Sequence, residues 1–222
     1  TPKSTNELMH ALAHRHRTIF LSGPINDESA KAIVAQLLFV DAEAPGKPVH
    51  LLISSSGGRV QAGTAIHDVM RSLRSPVHTT CIGHCESMAA VILAAGERGE
   101  RRAMPNARIM VHQPTRSPGG ASKTSKQLLI SATETEKSRL KLAALLARDT
   151  GRSEAEMAEL LEHDQYYSPD EARAAGIIDE VVGDEWAVVS LAAPQASTAG
   201  EPAVDATAQA APVAPAETAA TI

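Results

Sequence analysis

Two β-branched, mostly apolar runs constrain this chain most: Val49-His50-Leu51-Leu52-Ile53 and Val77-His78-Thr79-Thr80-Cys81-Ile82. Each is followed by glycine and then by a helical apolar pattern. The first passes through Ser54-Ser55-Ser56-Gly57-Gly58 into a helix carrying Ala65, Ile66, Val69, Met70 and Leu73. The second passes through a tight turn at Gly83 into an apolar helix read from Ser87 to Gly96. Short apolar strands that alternate with helices call for crossover connections, hence an α/β fold with a mainly parallel sheet. The Val49–Ile53 run is apolar almost throughout, as expected for a strand covered on both faces.

The same alternation continues on either side. Thr18–Leu21 reads as a strand stopped by Ser22-Gly23-Pro24, and Asn26 or Asp27 caps a helix running to about Asp41. Glu7 to His16 fits a short helix. Short strands are expected around Glu100–Ala103 and Arg108–Val111, then a polar, mobile loop from Thr115 to Ser125. A long helix runs on to about Asp149, where Thr150-Gly151 ends it. Ser153 with Glu156 and Ser168 with Glu171 form capping boxes, the second with Pro169 at the first helical position. Glu162–Tyr167 is read as a connector, and Ile177–Val182 as the last strand. From about Ala187 the composition turns to Ala, Pro, Thr, Glu and Gln without periodicity, which predicts a disordered tail. The expected organisation is thus an N-terminal segment (1–16, partly mobile), a domain over 17–186 with its long helix at about 122–149, and a tail over 187–222.

Aromatic residues are only 2% of the chain, so the core must be aliphatic. The net charge of −5 argues against a nucleic-acid surface. No apolar run is long enough for a membrane helix. Cys81 and Cys85 read as small core residues in a reducing, cytoplasmic setting rather than as a disulfide or zinc site. His10, His14 and His16 lie beside Arg15 and Arg17, which would repel a cation, so a basic solvated face is the better reading than a metal site.

Several residues invite chemistry. Ser87 stands between a glycine turn and a buried helix, near free backbone N–H groups; a helix N-cap is the plainer local reading. The double glycine at 57–58 lacks the Gly-Lys-Ser/Thr ending of a P-loop and the third glycine of a dinucleotide fingerprint, so locally it is a tight turn. His112 ends a strand just before Pro114. Asp164, taken locally, is a surface carboxylate or a pre-strand turn residue.

Taken together in order, these pieces resemble a known family. Ile19-Phe20-Leu21-Ser22-Gly23-Pro24-Ile25, Ala35–Glu43, Ser56-Gly57-Gly58-x-Val60-x-Ala62-Gly63, Ser87-Met88-Ala89, Leu93-Ala94-Ala95-Gly96, Pro105–Pro114 and Tyr167-Ser168-x-x-Glu171-Ala172-x-x-x-Gly176-Ile177-Ile178-Asp179 closely resemble the Clp protease proteolytic subunit family, from about Arg17 to Val182. The resemblance implies a crotonase-like, ClpP-type spiral of strand–strand–helix units with a long handle helix, built into two stacked heptameric rings around a closed chamber. It implies Ser87 as nucleophile, His112 as base and Asp164 as the acid, with the backbone N–H groups of Gly58 and Met88 as oxyanion donors. It implies degradation of unfolded polypeptides delivered by an AAA+ Clp ATPase, so that ATP is used by the partner and the chain needs no cofactor or metal. The ring is a homo-oligomer or one mixed with a paralogous subunit, with neither nucleic acid nor membrane as partner.

The chemistry of these residue types fits those roles. Serine needs a base to take its proton, histidine serves near neutral pH, and a carboxylate fixes the imidazole tautomer. The order Ser…His…Asp, with Cys85 and Ala89 in place of the flanking glycines of Gly-x-Ser-x-Gly, excludes an α/β-hydrolase. Four departures from the family pattern stand out: Ser56 for a proline, Cys85-Glu86 for two small residues before the nucleophile, Glu162-His163 for an acidic residue and an arginine at the expected inter-ring contact, and a short, polar segment before Leu8 where an N-terminal hairpin is usual. They keep open a low-activity or regulatory subunit of a mixed ring. A crotonase-type acyl-CoA enzyme shares the fold but would not need Ser87 and His112 together.

Overall fold

The computed structural model describes residues 4–115 and 124–183. The mobile loop and the Ala/Pro-rich tail expected from sequence lie outside the described residues, apart from the loop's two ends. Helix α1 (Thr5–His16) is capped by the Ser4 side chain, which accepts from the Glu7 N–H, and Ala13 anchors it in the core. Strands β1 (Thr18–Ser22), β2 (Val49–Ser55) and β3 (Val77–Glu86) follow in adjacent parallel positions, joined by helices α2 (Asp27–Glu43) and α3 (Val60–Ser72). Helix α4 (Met88–Ala94) then leads to β4 (Arg101–Ala103), parallel to the first half of β3. β5 (Arg108–Val111) lies parallel to the second half of β3. The long helix α5 (Ser125–Thr150), helix α6 (Glu154–Leu160), strand β6 (Gln165–Tyr167), helix α7 (Pro169–Ala174) and strand β7 (Glu180–Val181) complete the described chain.

Because β1, β2, β3 and β4 are sequential neighbours, their right-handed crossovers put the connecting helices on one face. That face holds the aliphatic core: Leu51, Ile53, Ile66, Ile92, Leu93 and Leu146 are at most 1% exposed. The opposite face is covered only in part. Leu52 and Thr80 are buried on it, while Phe20, His50, His78 and Arg102 are half-buried, with the His50 and His78 rings edge to face at 5.2 Å.

Burial pushes both histidines below their ordinary value. Nearby Arg102 acts the same way on each, His78 and Arg17 add to the effect at His50, and Glu100 opposes it at both, joined at His78 by Glu97. The folded state therefore holds them neutral where the unfolded chain begins to bind protons. Their contribution to stability is complete above the unfolded value, about 6.5, and is lost as pH falls through the lower folded values. Thermal melts are expected to show a midpoint that drops on acidification below that point. The drop should be shallower in His50→Gln/His78→Gln; an equal slope in the variant would contradict this origin.

The structure corrects the sequence reading at three points. Gly83 does not end a strand: β3 runs through it to Glu86, carrying two more residues than β2 between the Ile53–Cys81 and Ser55–Cys85 pairs. It continues because its second half has its own partner, β5. The connector at Glu162–Tyr167 contains β6, antiparallel to β5. The last strand is only Glu180–Val181, because the Ile177 and Ile178 N–H groups both turn back to the Ala172 carbonyl at the exit of α7. Both capping boxes form as expected, at Ser153/Glu156 and Ser168/Glu171.

Candidate active site

Strand register brings three side chains to one place. β3 pairs with β5 as far as Glu86–Met110, and the Ser87 N–H donates to the Met110 carbonyl at 2.8 Å. On its other side β5 pairs antiparallel with β6, Val111 opposite Gln165. One step further in that register sets His112 beside Asp164. The Gln113 side-chain amide donates to the Glu162 carbonyl at 2.9 Å and ties the two strand ends together. Gln113 has no role in the sequence reading; its signal was only its place beside His112.

Ser87 stands at the N-cap position of α4, but its side chain makes no cap hydrogen bond. Its hydroxyl instead lies 2.9 Å from His112 Nε2, while His112 Nδ1 lies 3.2 Å from Asp164 Oδ1. The plain helix-cap reading is thereby excluded. Ser87 has φ 54° and ψ −123°, a region costly for a residue with a Cβ, of order 1–3 kcal/mol. Such strain lifts the side chain off the helix and aims it across the strand ends. Asp164 has the surface position that its local sequence suggested, with its side chain 60% exposed, and still reaches the imidazole.

The double-glycine turn closes the site from the other side. Ile25 N–H donates to the Gly57 carbonyl and Arg59 N–H to the Ile25 carbonyl, each at 2.8 Å. Among the described residues the Gly58 N–H has no acceptor. Met88 opens α4, so its N–H has no acceptor one turn back. A side chain at Gly58 would come within 2.2 Å of the Ile25 carbonyl oxygen, and one at Gly57 within 2.6 Å of the Glu86 oxygen and 2.8 Å of the Ser87 Cβ. Only glycines let this turn lie so close to the backbone of Glu86 and Ser87.

Gly63 has a related part that the sequence reading did not assign. A Cβ there would meet Met88 Cγ at 2.1 Å, so the gap in α3 seats the Met88 side chain, which is 2% exposed. The signal was a small residue one helical turn into α3.

The cleft at Ser87, about 60 Å³, has apolar walls from Val60, Val91, Val111, Leu142 and Leu161. Glu86 does not line it. A much larger groove of about 1130 Å³, between α1, β1 and α2, has none of these reactive groups in its lining. Cys81 and Cys85 are free and fully buried. Burial, then the neighbouring Cys81 thiol and the Glu86 charge, pushes the Cys85 thiol well up, so it stays protonated and inert. Glu162 and His163 are both exposed on the segment between α6 and β6. Among the described residues no group of three or more His, Cys, Asp or Glu could hold a metal; His14 Nδ1 faces Glu43 Oε2 at 2.9 Å.

A nucleophile-like serine on a strained strand–helix junction, with a strand-end histidine and a crossover sheet on one helical layer, invites comparison with known families. The Clp protease family model matches residues 3–185. The chain belongs to the Clp protease family. Membership assigns it the crotonase-like, ClpP-type fold and makes it a peptidase, a hydrolase of the peptide bond. It also implies assembly into an oligomeric ring. Among the described residues no helix is long and apolar enough to cross a membrane.

Proposed function

We propose that this Clp family peptidase is a serine endopeptidase, the proteolytic subunit of an ATP-dependent Clp-type protease. The observation that carries the proposal is the continuous contact from Ser87 Oγ to His112 Nε2 and from His112 Nδ1 to Asp164. Asp164 accepts the Nδ1–H and so leaves Nε2 free to accept the Ser87 proton. Ser87 Oγ attacks the carbonyl carbon of the scissile bond. The negative charge that grows on the carbonyl oxygen is met by the N–H groups of Gly58 and Met88, donors already fixed by the turn and by the start of α4. The protonated His112 gives its proton to the leaving amine, and the acyl group remains on Ser87. A water molecule, deprotonated by His112, then attacks the acyl carbon and releases the new carboxylate.

The proposed substrate is unfolded polypeptide, whose extended backbone can lie along the cleft beside Ser87. Such a substrate fits delivery of extended polypeptide by an AAA+ Clp ATPase, which spends the ATP while this chain holds no cofactor. The assembly proposed is two stacked heptamers in the cytoplasm, of this chain alone or mixed with a paralogous subunit. Helix α5 is the handle between the rings. Its Leu128, Leu129, Ile130 and Leu140 are 50–70% exposed, an apolar surface in need of a partner.

Glu162 and His163 are proposed to meet the opposite ring. Histidine carries charge only on the acid side of its titration. Sedimentation is therefore expected to show a different balance of single and double rings at acidic and basic pH. The difference should vanish in His163→Gln; a balance that does not move with pH would remove His163 from the contact.

A further inference from the structure

The cleft at Ser87 does not end at Gly58. Gly58, Val60, Pro114 and Thr115 also line a second hollow of about 350 Å³, so the two spaces adjoin across a shared wall beside the double-glycine turn. The character of the surface changes at that wall. Where Leu142 and Leu161 close the first space, Arg59, Gln61, Thr135 and Ser138 line the second. Among the described residues none of its lining side chains is acidic.

Among the described residues Arg59 is the only ionic group in this lining. Its backbone is fixed by the bond from its N–H to the Ile25 carbonyl, so the side chain starts from a defined point next to the Gly58 N–H. The guanidinium donates through Nη1 to Asp27 Oδ2 at 2.5 Å, and Nε and Nη2 have no partner among the described residues. Both members of that pair are largely exposed, 61% and 70%. An exposed pair of this kind is held weakly, and a guanidinium can bind a second carboxylate through its remaining fork.

We propose that this hollow is a substrate subsite for an acidic side chain, with Arg59 as its specificity-determining residue. The proposal rests on the reading of Ser87 as the nucleophile, which makes the adjoining hollow part of the polypeptide's path. A bound chain passing Ser87 in extended form turns alternate side chains to opposite sides. One residue near the scissile bond thus places its side chain against Arg59, with the Gln61 amide and the Thr115 hydroxyl beside it; the Thr135 and Ser138 hydroxyls donate to the Ser131 and Glu134 carbonyls and only line the wall. A lysine at the same position meets a like charge.

The test uses the intact protein and quenched fluorescent peptides of one parent sequence. Asp, Glu, Gln or Lys is placed in turn at each position around a fixed apolar cleavage site. At one position, kcat/KM for Glu is expected to exceed that for Lys by up to about fivefold, the upper end of the range for an exposed charge pair. The ratio should shrink in high salt, a reading that needs no variant. It should fall to about one in Arg59→Gln and invert in Arg59→Glu. Cleavage of the Gln peptides with no Glu/Lys preference at any position would overturn the subsite and leave the peptidase reading standing. So would a preference that survives Arg59→Glu. Failure to cleave any peptide, the neutral ones included, would overturn both.

Discussion

Replacing Ser87 with alanine is expected to abolish turnover of a small fluorogenic peptide, with a loss on the order of 10⁶ in kcat. Among the described residues the hydroxyl 2.9 Å from His112 Nε2 is the one group at this junction positioned to give a proton to that imidazole. Its removal leaves the two backbone donors and the apolar cleft, which still bind peptide but have nothing to attack it with. His112→Ala should cost nearly as much, and the double variant little more, because the two side chains act as one unit. The structural cost of Ser87→Ala is small, since the hydroxyl caps nothing. Alanine still needs positive φ at that position, so the strain remains. An unchanged circular dichroism spectrum and ring size would show that chemistry alone was lost. Turnover within tenfold of the parent protein would contradict the proposed nucleophile.

Gly63→Ala is expected to lower kcat by about 10²-fold while KM changes little. The size follows from the usual cost, about 10²–10³, of losing one oxyanion donor. A methyl group at residue 63 needs space within 2.1 Å of Met88 Cγ, so the Met88 side chain, 2% exposed, must shift against the cleft that it lines. The strain passes to the first turn of α4, and with it to the Met88 N–H. Charge on the carbonyl oxygen exists only in the transition state, so a misplaced donor is felt in kcat. A second substitution separates this from simple loss of packing. The proposed donor is a backbone group, so Met88→Ala keeps it while clearing the space for the new methyl. Gly63→Ala/Met88→Ala should recover most of the lost kcat, though burial lost at Met88 leaves it less stable by about 2–5 kcal/mol. A double variant as slow as the single would show that Gly63 does not act through Met88.

Much of the architecture can be read from local sequence because its causes are local. The alternation of β-branched runs with helical patterns, the capping boxes at Ser153 and Ser168, and Gly151 at the end of α5 all depend on neighbouring residues. What was misread depends on distant partners. Nothing near Gly83 reveals that His84–Glu86 will find β5, or that Gln165–Tyr167 will pair with Ile109–Val111. The half-open sheet face was missed for a related reason. An apolar run such as Val49–Ile53 speaks of burial in general, while the hand of the crossovers decides which face receives the helices.

The candidate site divides in the same way. Ser87 looks like a helix cap and Asp164 like a surface carboxylate, and each has the exposure or position that this local view suggests. Their meeting with His112 follows from two strand registers, one parallel and one antiparallel, that no window of sequence contains. The ordered family motifs were therefore the only route from the chain to the set of three. Gly63 and Arg59 were out of reach for a different reason. One matters for the space it leaves to Met88, the other for the hollow beside it, and both are properties of the folded surface.

Activation of Ser87 by His112 can be measured by reacting the intact protein with a fluorophosphonate and locating the adduct by tandem mass spectrometry. A single adduct on Ser87, absent from Ser87→Ala and formed far more slowly in His112→Ala, is the expected result. Labelling at another residue, or no labelling of a protein that still cleaves peptides, would contradict it.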